Sequence, residues 1–149
     1  MNTFPRRIVL ALTAAIGIVV GVWAAAFPHS FYTNFPGFGF IWVVADGPFN
    51  EHLIRDVGGL YLAIAAATVF AIFSREPAAT RAVGIAWTVF GVLHFGYHAS
   101  HLRGMTTANA TGELVGLGTS LVLGVMLILP AHSRRTDPDA AHHHEETAQ

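Results

Sequence analysis

Four runs of about twenty residues, 8–27, 53–73, 82–102 and 112–129, contain almost no formal charge, and each is long enough to cross a hydrocarbon core roughly 30 Å thick. The first has no charged residue, the second carries Arg55 and Asp56 only in its first turn, the third is interrupted by histidines, and the fourth is uncharged from Leu114 until Pro130 closes it. Only 11% of the 149 residues are charged, against about 25% in ordinary soluble domains. The expectation is an all-α, four-helix transmembrane bundle spanning residues 1–131 and surrounded by lipid, with a disordered cytoplasmic tail over 132–149. That tail holds His142, His143 and His144, but its composition is too polar to fold and it carries no functional claim.

All eight basic residues are arginines, and Arg6, Arg7, Arg75, Arg81, Arg134 and Arg135 fall on one side of the predicted spans. The positive-inside rule makes that side cytoplasmic, which puts both termini inside and the protein in the cytoplasmic membrane. A cleaved signal peptide is the competing reading of the first run, since Arg6-Arg7, an apolar stretch and Ala24-Ala25-Ala26 imitate its three regions. The apolar run exceeds the ~7–15 residues usual there, and Gly17 and Gly21 have the spacing of a helix-packing seam.

A net charge of −1 offers no basic field for a nucleic-acid backbone, so nucleic acid is excluded as a partner. The absence of cysteine excludes disulfides, thiolate metal sites and thiol redox chemistry. Between the first two spans, residues 27–42 are rich in aromatics and punctuated by Pro28, Pro36, Gly37 and Gly39, which argues for an ordered aromatic loop at the outer surface rather than a continuous helix. Such a loop is an interfacial anchor or a cover over a site. Asp46-Gly47-Pro48 reads as a turn, and Asn50 as the N-cap of the second span.

Ionisable groups gather at the outer ends of the spans. His94, His98 and His101 follow i, i+4, i+7 spacing and form one stripe on the third helix, shared with Gly84 and Gly91. His52 and Asp56 are i, i+4 partners on the second helix, as are Glu51 and Arg55, and the fourth helix opens with Glu113. Ionisable residues in a span are costly to insert and usually face a cavity or one another. Imidazoles with a carboxylate are ligands for zinc, copper or iron, which makes His94, His98 and Asp56, with His52 and Glu113 in support, a candidate metal shell. Asn50, Glu51, Arg55 and His101 are candidate binding residues around it. Haem is the less favoured variant, because two histidines on one helix cannot ligate opposite faces of one haem.

The alternatives stay open at this point. Asp56 with His98 could serve as general acid and base on a lipophilic substrate, and Glu51 and Glu113 each satisfy a helix dipole without further purpose. A hydrogen-bonded structural triad would use the same three deep residues. Acyl transfer is disfavoured by the lack of a Gly-x-Ser-x-Gly elbow, and transport by the absence of an internal inverted repeat.

The run Asn50-Glu51-His52 with Arg55-Asp56-Val57-Gly58, followed by the pattern from Phe90 to Leu102, resembles a group of small actinobacterial four-helix membrane proteins over nearly all of residues 8–130. It is also loosely similar to DoxX-like membrane proteins, some of which are linked to membrane redox systems. The resemblance implies redox or metal service without implying an activity. The expected function is therefore a membrane module with an outward-facing His/carboxylate pocket that takes a metal ion or a lipophilic ligand, whether or not as an enzyme. The alternative is an accessory subunit of a larger complex, or a homo-oligomer, with no chemistry of its own.

Overall fold

A computed structural model describes residues 4–130 of the chain. The expected tail over 132–149 lies outside the described residues. Helix α1 spans Phe4–Ala26, α2 Pro28–Asn34, α3 Glu51–Phe73, α4 Pro77–Ser100 and α5 Thr107–Ile128. Four of these, α1, α3, α4 and α5, are long and apolar enough to cross a membrane, so the chain is an all-α four-helix bundle.

The long helices start two to five residues before the apolar runs because their first turns carry their own helix-starting chemistry. Pro77 stands in the first turn of α4, where a missing N–H costs nothing. Thr106 caps α5 by accepting from the Asn109 N–H, and Asn50 caps α3 by accepting from the Leu53 N–H at 3.1 Å. Helix α4 ends at Ser100, one residue before His101.

The helices run alternately up and down. At one end, Arg6 of α1 donates to the carbonyls of Leu127 and Leu129 at the end of α5. At the other, Arg55 of α3 donates to the carbonyl of Ala25 near the end of α1 and pairs with Glu51 at 2.8 Å. Each arginine thereby satisfies carbonyls that a helix terminus leaves without partners.

Packing divides the bundle into two pairs, α1 with α3 and α4 with α5, joined by a smaller interface. Small residues let the backbones approach within each pair, since lipid tails give no hydrophobic reason for apolar helices to associate. A Cβ placed on Gly58 would lie 2.5 Å from the backbone nitrogen of Ala25, and one on Gly84 would lie 2.8 Å from Leu127 Cβ. Between the pairs sits Trp87, 1% exposed, whose indole N–H donates to Thr68 Oγ1 at 2.9 Å.

The segment between α1 and α3 folds over one end of the bundle. Helix α2 is followed by a two-residue-per-strand hairpin, β1 (Pro36–Gly37) and β2 (Phe40–Ile41), and by a 3₁₀ turn over Val43–Asp46. Three consecutive residues at the hairpin tip, Gly37, Phe38 and Gly39, have positive φ, and Phe38 points wholly outward. Phe31, Phe35 and Trp42 point the other way and meet in edge-on and tilted ring contacts. This cap is tied to α5 by the Ile41 N–H, which donates to the Asn109 side chain, and by Trp42 lying on Gly112 and Gly116.

Candidate functional site

Beneath the cap, in the gap between the two helix pairs, lies a cavity of about 1190 Å³. Its floor is reached at Ile16 and Tyr61, and its upper end is bounded by Asp46, His98 and Glu113. Ile16 lies ten residues before the end of α1, which places the floor about 15 Å below that end.

The three upper residues come from three elements. The 3₁₀ turn ends at Asp46, α4 carries His98 in its last turn, and α5 carries Glu113 two turns from its start. Nδ1 of His98 lies 2.9 Å from Glu113 Oε1 and 3.7 Å from Asp46 Oδ1. The Glu113 side chain is 3% exposed, that of His98 11% and that of Asp46 27%. One ligand atom from each residue lies within 4.8 Å of the others, so the group could hold a metal ion. Donors about 2.1 Å from one ion stand roughly 3.0–3.4 Å apart in octahedral or tetrahedral geometry, close to the spacings at His98.

Two carboxylates bracketing one imidazole, with Glu113 and His98 buried and Asp46 at the more open side, favour positive charge, which a protonated His98 or a cation supplies. Among the described residues no arginine lies in ion-pair contact with either carboxylate. Burial holds the Asp46 carboxyl above the usual aspartate range, against the opposing pull of His98 and His101. The group is thus built to retain a proton or to accept a cation.

His94, one turn deeper on α4, stands beside this group without belonging to it. Its ring stacks on Phe90 with centroids 4.9 Å apart, meets Tyr61 edge-on, and lies 4.7 Å from the His98 ring. It lines the cavity and makes no hydrogen bond among the described residues. The Trp42 indole N–H is also buried without an acceptor among the described residues, a condition that costs about 1–3 kcal/mol.

The other expected ligands lie elsewhere. His52 and Asp56 pair with each other, Nε2 to Oδ2 at 3.4 Å, on an outward face of α3 with side chains 88% and 63% exposed. Neither lines the cavity. The inward face of α3 is made by Ile54, Gly58, Tyr61, Ala65 and Thr68, roughly opposite Asp56 on the helical wheel. Gly59, next along the same face as His52 and Asp56, has open space around it. His101 leaves the histidine stripe because α4 has ended: its ring stacks on Tyr97 at 4.1 Å, and its Nδ1 lies 2.8 Å from the Tyr97 carbonyl oxygen. Asn50 and Glu51 line the rim of the cavity, whereas Arg55 serves the end of α1. The His29 ring meets that of Phe49 edge-on, and its carbonyl accepts from the Thr33 hydroxyl.

Asp46 is the residue that sequence reasoning missed. Asp-Gly-Pro reads as turn punctuation, and in a turn an aspartate has a local explanation; only the fold of the cap brings it over His98. Comparison of the chain with family models, curated proteins and solved structures found no match.

Proposed function

We propose that this protein is a multi-pass membrane protein that binds a divalent metal ion through Asp46, His98 and Glu113. The observation that carries the reading is the convergence of two carboxylates and one imidazole from three separate elements, without an arginine to neutralise them. Two oxygen donors to one nitrogen favour iron or zinc over copper, which prefers softer or more nitrogen-rich sets. The arginine distribution supports a cytoplasmic membrane in which the capped end faces outward. The loose DoxX-like resemblance supports service in a membrane redox system.

The test is elemental analysis of the full chain purified in detergent, with His142, His143 and His144 replaced by alanine so that they contribute no metal. Near-stoichiometric iron or zinc is expected, lost in His98→Ala and Glu113→Gln and kept in His52→Ala and Asp56→Asn. A metal-free parent protein, under conditions that do not strip metal, overturns the proposal. So does a metal content that follows Asp56 rather than Glu113.

A further inference from the structure

The metal group occupies only the upper end of a cavity that is far larger than an ion needs. Below it the walls are apolar and aromatic, with Val20, Val57, Tyr61 and Leu117 descending to Ile16 near the middle of the bundle. The two hydroxyls on the α5 wall are already spent, Thr119 donating to the Val115 carbonyl and Ser120 to that of Gly116. Apart from the Tyr61 hydroxyl at the floor, polar groups left to meet a guest are concentrated at the top: the His94 ring and the Asp46/His98/Glu113 group. The enclosure is amphipathic along its length, and its occupant should be too.

Charge narrows the class further. Asp46 and Glu113 repel an anionic head directly, and with a divalent ion in place they and His98 bring the group to neutrality without surplus positive charge. We infer that the cavity binds a neutral, single-headed lipophilic molecule whose head presents a hydroxyl or carbonyl oxygen to His94 and the metal group, with its apolar body lying between the helix pairs. Contact of the head with the ion rests on the metal reading; occupation of the cavity by the body does not.

The experiment uses the full chain in nanodiscs and two photoreactive probes of equal chain length with a mid-chain diazirine, a monoacylglycerol and a fatty acid, with adducts located by peptide mass spectrometry. At neutral pH the monoacylglycerol should label the segments holding Ile16, Val57 and Leu117 about tenfold more than the fatty acid does, because of the like charge that meets the acid. Leu117→Trp and Val57→Trp, which fill the space, should each abolish this labelling while the helical signal and melting temperature persist. Labelling confined to outward positions such as Val115, Val122 and Met126, or equal labelling of the cavity by both probes, overturns the inference. So does cavity labelling undiminished in both filled variants. Metal content measured on the same preparations separates the two readings: metal without cavity labelling sinks the lipophilic guest alone, and cavity labelling without metal sinks the metal centre alone.

Discussion

Thr68 is a hydroxyl within a membrane span, five residues before the end of α3 and fully buried, and its chemistry is spent on two neighbours. It donates to the Ile64 carbonyl at 2.7 Å and accepts from Trp87, the largest fully buried side chain among the described residues. Thr68→Val keeps the shape and removes the acceptor, which should lower stability by about 1 kcal/mol, the size of a lost hydrogen bond within a bundle. Reversible unfolding in mixed detergent micelles measures this, and pairing the change with Trp87→Phe should make the two costs less than additive. The site differs from this buried pair in how readable it was. Glu113 and His98 stand out in the sequence because each is ionisable within an apolar run. Asp56 stands out for the same reason, yet it lies near the start of α3, where a side chain reaches hydrated surroundings and pairs locally with His52. Asp46 does not stand out at all, since its role depends on how the cap folds.

At the level of the elements, glycine decides which face of a helix is inward. Gly58→Ala should destabilise the bundle clearly, by about 1–3 kcal/mol, because the new methyl meets the backbone of Ala25 and the α1–α3 crossing must open. Gly59→Ala, one residue on with open space around it, should be neutral or mildly stabilising through helix propensity alone. Thermal unfolding of the two variants in one detergent checks the contrast. The four spans were legible from length and absence of charge, and the Gly17/Gly21 seam from its spacing; both glycines are buried in α1 against α3. The inward face of α3 was not legible from polarity. In lipid both faces of a span are apolar, so polarity marks interfaces and cavities, while packing is marked by small residues such as Gly58 and Ala65.

The molecule as a whole has a top and a bottom: a folded aromatic cap at one end, and at the other the short α3–α4 turn with Arg6, Arg7, Arg75 and Arg81. The arginine count predicts that the cap faces outward, and the absence of cysteine makes the test simple. A single cysteine at Phe38→Cys, on the exposed hairpin tip, should react with a membrane-impermeant maleimide on intact cells. One at Glu76→Cys should react only after the membrane is opened; the reverse pattern would invert the topology. The cap also explains the limit of sequence reading at this scale, because where a 24-residue connection lies is settled by contacts such as Ile41 with Asn109 and Trp42 with Gly116 that no local spacing announces.

The three residues of the candidate metal group are made in chain order, Asp46 with the connection after the first long helix, His98 with the third and Glu113 only with the fourth. A nascent chain arrested before its last helix has inserted therefore owns an aspartate and a histidine but no third donor. If the group takes the ion proposed for it, loading would be a late event of biogenesis, and a bound ion would certify that the last helix is in place.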